Sequence, residues 1–142
     1  MTPKDGSKVF IKNNKLNKYL FVLRDNKPNI PNAGCWSLFG GGIENNETPL
    51  EALMREIKEE TNIELFDIKK INIQKFVLTV NNKPFNVTGH IFHAYTDAEL
   101  KNIKLYEGKK VAYFTIDELK KEKNISSGMI KFLEKNENLF PQ

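Results

Sequence analysis

The chain has 142 residues, 39% of them hydrophobic, a formal net charge of +4 and a sequence pI near 9.1, so a single globular domain over 1–142 with a real core is expected. The positive excess comes from lysines scattered along the chain, which gives mild steering of polyanionic ligands and no dedicated nucleic-acid surface. Cys35 is the only cysteine, which excludes an internal disulfide and a cysteine-built zinc site; the opening MTPKDGSKVFIKNNK has no apolar signal core and no apolar run approaches the ~18 residues of a membrane span, so a cytoplasmic chain without a membrane partner is expected.

Residues 8–12 and 18–23 are apolar segments split by the polar pair Asn13 and Asn14, which predicts a β-hairpin. Residues 25–34 are rich in Asn, Pro and Gly and read as a loop. A helix is predicted to begin at Pro49: Thr48 followed by Glu51 is a capping-box pattern, and proline at the first helical position loses no needed N–H. At about 100° per residue, Leu50, Leu53, Met54, Ile57 and Thr61 cluster into one inward stripe. Asn62 is the expected stop, in the left-handed conformation that ends many helices. Residues 68–80 and 85–96 read as two strands joined by a turn at 81–84, a further strand follows at 110–115, and helices at 116–123 and 127–135 close the chain. Strands flanking a central helix fit an α/β layered fold, although periodicity alone does not select which one.

The most informative segment is GGIENNETPLEALMREIKEETNI, residues 41–63. Glu56, Glu59 and Glu60 fall on one arc roughly 100° wide beside the apolar stripe, because residues three and four apart lie over one another on a helix. Arg55 lies just beyond that arc, and Glu47 precedes the helix. Carboxylates crowded so closely repel one another unless a cation sits among them, and a divalent metal such as Mg²⁺ takes hard oxygen ligands of this kind. Glutamate-rich helix faces are usually solvated surface laced with lysine. Here only Lys58 is interleaved, and a glycine run lets backbone approach the carboxylates closely.

The segment resembles the signature of the Nudix hydrolases, G-x5-E-x7-R-E-U-x-E-E-x-G-U with U a bulky aliphatic. Gly41, Glu47, Arg55, Glu56, Ile57, Glu59, Glu60 and Ile63 stand in the matching places, and Asn62 replaces the family's glycine. A chance match of this quality is on the order of one in a million. The resemblance implies an α/β/α sandwich with a mixed central sheet and a catalytic loop-helix-loop. It also implies hydrolysis of a nucleoside diphosphate linked to some other moiety, with Mg²⁺ (or Mn²⁺) required. By position, Glu56, Glu59 and Glu60 would hold the metal, with Glu56 or a neighbour activating the attacking water, while Glu47 and Arg55 would form an internal ion pair that fixes the loop against the helix. Upstream, WSLFGGG at residues 36–42 is similar to the family's strand and glycine turn, where a backbone carbonyl ligates metal; Gly40 is the matching position. Phe39 stands where MutT-like members commonly carry proline.

Outside the signature, Glu107 occupies a polar segment where many members of the family carry a further acidic residue, a candidate metal ligand or catalytic base. Arg24 ends the second predicted strand, where related proteins often present an arginine to a substrate phosphate. Trp36 and Phe39 are candidates for the wall of a base-stacking pocket. His90 and His93, an odd interval apart in a predicted strand, point to opposite faces and are assigned structural roles. Leu78 stands where members that cleave ADP-ribose tend to carry proline, and residues 79–81 offer no tyrosine of the kind found in members that cleave dinucleoside polyphosphates. The compact length looks most like the MutT-type (d)NTP pyrophosphatases, which release NMP and pyrophosphate from a small-molecule nucleotide. A nucleotide-sugar or ADP-ribose-type pyrophosphatase and a catalytically silent nucleotide-binding module are the alternatives. A homodimer is left open.

Overall fold

Alternation along β1 (Gly6–Asn13) sends Val9 and Ile11 to one face of the sheet and Lys8 and Phe10 to the other, and the core is divided accordingly. The structure, a computed structural model, describes residues 3–30 and 32–140. Met1 and Thr2 of the opening segment, Pro31 of the predicted loop, Pro141 and Gln142 lie outside the described residues.

β1 forms the expected hairpin with β2 (Lys18–Leu23), in the register Ile11↔Leu20 and Asn13↔Lys18. The buried Asn13 side chain organises the turn, its Oδ1 accepting from the N–H groups of Lys15 and Leu16. β3 (Trp36–Ser37) pairs with β2, and β4 (Phe39–Gly42) runs antiparallel to the first half of β1. The glycines expected in a turn therefore lie largely within a strand. β5 (Phe66–Val80) and β6 (Lys83–Tyr95) form a long antiparallel hairpin, and β6 returns parallel to β1. Its turn is only Asn81 and Asn82, both at positive φ, tighter than the predicted 81–84 because asparagine tolerates the left-handed conformation that a two-residue hairpin requires. β7 (Lys110–Phe114) pairs with the other edge of β2. The result is a mixed seven-stranded sheet of order β3-β2-β1-β6-β5, with β4 also on β1 and β7 also on β2.

Helix α1 (Pro49–Glu60) covers one face, packing Leu53 and Ile57 among Val9, Ile11, Leu20, Val22 and Phe92. Full burial of each of these two side chains stabilises the fold by about 1.5–3 kcal/mol. α2 (Ile116–Lys120) and α3 (Ser127–Lys135) cover the other face through Leu119, Phe132 and Leu133 against Phe10, Phe21 and Trp36. Helix, sheet and helices make the α/β/α sandwich. α2 stops short of the predicted residue 123 because the chain beyond it is drawn onto β3: the Trp36 N–H donates to the Asn124 carbonyl at 2.7 Å, and Ile125 bridges to Trp36.

Two expectations for α1 need correction. The capping box forms as read, but Leu50 and Met54 are 45% and 44% exposed and do not belong to the inward stripe. The inward face is carried instead by Ala52, Leu53, Ile57 and Glu60, since the helix is turned so that a carboxylate, not Met54, meets the glycine strand. Nor is Asn62 in the left-handed conformation. The helix ends at Thr61 in extended backbone, where a bridge to Leu105 takes over its hydrogen bonding. Asn62 uses its side chain, with Oδ1 accepting from the Lys104 N–H at 2.8 Å and Nδ2 donating to the Asn102 carbonyl at 3.1 Å.

Candidate active site

The site forms where the end of α1 crosses β4. Ser7, buried on β1, donates its hydroxyl to the Pro49 carbonyl at 2.6 Å and so ties the start of the helix to the strand that pairs with β4. At the helix's other end Glu60, 8% exposed, accepts the Gly40 N–H on Oε1 at 3.0 Å. Glycine is required at Gly40, and at Gly41 it leaves room for a side chain from α1. Gly40 has φ of +132°, and a Cβ there would collide with the Ser7 carbonyl. At Gly41 a Cβ would drive into the Glu56 carboxylate, which lies directly over it. The absence of side chains on β4 is what lets two carboxylates from α1 meet backbone.

Burial pushes the Glu60 carboxyl up to about 7; the Lys8 ammonium and the Gly40 N–H oppose that shift, and Glu56 and Glu107 add to it. Glu47 behaves oppositely. Arg55 donates Nε to its Oε2 at 2.6 Å and Nη2 to its Oε1 at 3.0 Å, a bidentate pair that holds the Glu47 carboxyl at about 2 and raises the guanidinium further. The same arginine donates Nη2 to the Gly42 carbonyl at 2.9 Å and Nη1 to Glu56 Oε1 at 3.0 Å. Loop, strand and helix are thereby joined through one guanidinium, as the resemblance implied.

Glu56, Glu60, Gly40 and Glu107 open onto one cavity of about 590 Å³ on the α3 side of the sheet, and Lys8 and Arg24 line it too. Its far wall is apolar, built from Phe76, Val87 and Ile91 of the long hairpin and Met129 and Phe132 of α3. Leu78 is part of that lining. A larger depression of about 850 Å³ opens at the other end of the sheet near Tyr19, His93 and Tyr95, but it contains no residue of the signature.

Glu59 is not brought into the cavity: its side chain is 56% exposed and lies 3.3 Å from Arg55 Nη1, because one residue back from Glu60 the helix has rotated it toward the arginine a turn earlier. Trp36 and Phe39 do not wall the cavity either. Trp36 is packed edge-on to Phe114 with its indole N–H donated to Glu122, and Phe39 is fully buried against Leu53 and Ile57. His93 shares a 2.8 Å hydrogen bond with the Tyr19 hydroxyl, and neither it nor His90, two strand faces apart, reaches the carboxylates. The reading of the sequence missed Lys8 and Ser7. A lysine and a serine flanking the apolar run of β1 were the available signal, but only strand pairing with β4 reveals their target.

The gathered donors, carboxylates of Glu56 and Glu60 and the carbonyl of Gly40, are hard oxygens and suit Mg²⁺ or Mn²⁺ in type. Among the described residues no three acidic, histidine or cysteine side chains are arranged to hold a metal ion, so Glu59 or Glu107 would have to move inward to complete such a set. No helix among the described residues is long and apolar enough to cross a membrane.

A family model described as NUDIX domain matches residues 3–135. A protein from Methanocaldococcus jannaschii named ADP-ribose pyrophosphatase is 49% identical over 49 residues, 34% of this chain and 27% of that one. A Hydrogenovibrio crunogenus protein named RNA pyrophosphohydrolase is 32% identical over 62 residues, 44% of this chain and 34% of that one. The chain thus spans about a third or less of the length of these curated relatives. A crystal structure described as MutT protein from Methanosarcina mazei superposes with a TM-score of 0.77 at 23% identity, covering 99% of this chain and 98% of that one, which is agreement of fold.

Proposed function

The chain belongs to the NUDIX family, and from that premise we propose that it is a divalent-metal-dependent hydrolase of nucleoside diphosphate linkages, with a (d)NTP pyrophosphatase of MutT type as the specific activity. The observation that carries this reading is the single cavity that joins Glu56, Glu60 and Glu107 to Lys8 and Arg24 at one end and an apolar wall at the other. Carboxylates and cations side by side suit a metal-bound phosphate chain, and the apolar wall suits a base.

A bound divalent cation would neutralise the phosphates and lower the pKa of attacking water. Glu56 and Glu60 would supply carboxylate oxygens for it and Gly40 its carbonyl, and Glu59, now paired with Arg55, would be a further ligand. Arg24 presents forked donors to a phosphate oxygen; its Nε is buried without a partner, which supports such a role. Glu107, exposed at the cavity mouth, accepts the proton of the attacking water on its carboxylate, with Glu56 as the other acceptor. Glu47 and Arg55 act on the rate indirectly by fixing Glu56.

The second reading, an ADP-ribose or nucleotide-sugar pyrophosphatase, is favoured by the name of the M. jannaschii relative. One product analysis separates the two, using canonical and oxidised nucleotides, nucleotide sugars and ADP-ribose with Mg²⁺ and Mn²⁺. Free pyrophosphate with NMP supports the first, and two monophosphates without pyrophosphate support the second. Binding without turnover of any substrate sinks both and leaves a silent binding module.

A further inference from the structure

Lys8 is a half-buried lysine whose stem shares a sheet face with Phe10, and the β1–β4 ladder pairs its backbone with Gly40. Its Nζ donates to the Gly40 carbonyl at 3.3 Å. This is the same carbonyl that, with Glu56 and Glu60, forms the proposed oxygen set for a divalent cation. Burial and the Arg24 charge work against the Lys8 ammonium, and Glu60, Glu56 and Glu107 attract it. The bond to Gly40 places the ammonium at the carboxylate end of the cavity, and its Cα cannot withdraw without breaking the ladder. The carboxylate crowding evident in the sequence is relieved in this fold by Arg55, which pairs with Glu47, Glu56 and Glu59, while Lys8 attracts the buried Glu60.

We infer that Lys8 is a built-in counter-cation for the metal site: its ammonium keeps the Gly40 carbonyl, Glu56 and Glu60 assembled in the metal-free chain and competes with a free divalent cation for the same oxygens. Two cations cannot share one carbonyl at short range without strong repulsion. Metal entry requires the ammonium to move, and the flexible four-carbon stem allows it to swing toward the open cavity. The consequence is a site that is preassembled yet binds metal weakly by itself. This inference rests on the reading of Gly40, Glu56 and Glu60 as metal ligands.

The test is calorimetric titration of the full chain with Mn²⁺ alone, at one fixed pH and without nucleotide, comparing the native chain with Lys8→Met. The methionine keeps the length and packing of the stem and removes the charge. The expected result is Mn²⁺ binding tighter by about tenfold in the variant, the direction set by loss of a nearby like charge. Lys8→Gln, which retains a donor for the Gly40 carbonyl, replaces it if the methionine variant lacks the native circular dichroism spectrum, and the same tightening is expected. Equal or weaker binding in the neutral variant overturns the role given to Lys8 and leaves the metal site standing. If neither chain takes up Mn²⁺, the metal site itself fails, and this inference with it.

Discussion

Arg55 holds Glu47 by two parallel bonds of 2.6 Å and 3.0 Å, which join the loop before α1 to the middle of the helix. A planar fork is required for this, because the guanidinium meets both carboxylate oxygens and still reaches the Gly42 carbonyl. Arg55→Lys keeps the charge and loses the fork, so kcat/KM should fall by roughly 10- to 100-fold, the usual effect of losing a group that orients ligands. Retention of full activity by the lysine variant would show that charge alone suffices.

The same pair sets an acid limit. Glu47 is held at about 2, below its ordinary value of 4.5, so its contribution is fully present above about 4.5 and is lost as pH falls through about 2. Glu47→Gln should lie below the native chain in melting temperature at neutral pH, and the gap should close between those two values. A gap independent of pH down to that limit would contradict the ion pair's role.

Glu60 has the opposite sign. Its folded value, about 7, lies above the ordinary 4.5, so the neutral carboxyl is preferred in the native state, and the stability it contributes is present below about 4.5 and lost as pH rises through about 7. The full span is worth about 3 kcal/mol at most. In EDTA, Glu60→Gln should therefore be more stable to denaturant than the native chain at pH 8 and similar at pH 4, while hydrolysis drops by about 100-fold or more through loss of a proposed metal ligand. Equal stability of the two chains at pH 8 would remove burial as the dominant influence on Glu60.

Gly41→Ala isolates the close approach of helix and strand. The added methyl must displace the Glu56 carboxylate, since strand pairing with Ser7 fixes the backbone. A destabilisation of about 1–3 kcal/mol is expected from such overpacking, together with loss of activity greater than the loss of folded protein explains. Chemical denaturation and turnover per folded molecule measure the two parts separately.

Asn62→Gly restores the residue the family signature carries, yet here it should be harmful. It deletes the hydrogen bonds to residues 102 and 104, on the segment that leads to Glu107. A loss of about 1 kcal/mol is expected, given that the bonds are exposed. A neutral or stabilising effect in urea unfolding would mean that the side-chain clamp contributes nothing.

Sequence alone determined what depends on neighbours along the chain. The capping box of Thr48 and Glu51, the start of α1 at Pro49 and the hairpin at Asn13 act over a few residues, where helix geometry and turn chemistry leave few choices, and the pairing of Glu47 with Arg55 was implied by the family resemblance. It also placed Glu56, Glu59 and Glu60 on one arc, of which only Glu56 and Glu60 open onto the cavity, because a helical arc tells which side chains are near one another and not which way the helix is turned. Tertiary structure decided that rotation, exposing Leu50 and Met54 and burying Glu60, and it withdrew Trp36 and Phe39 into the core. It alone brought Lys8, Arg24 and Glu107 to the carboxylates, since their convergence follows from strand pairings between distant segments, β1 with β4 and β2 with β7, whose registers are set by burial of whole faces. A local pattern fixes which groups can form a site; only the packed sheet fixes which of them share it.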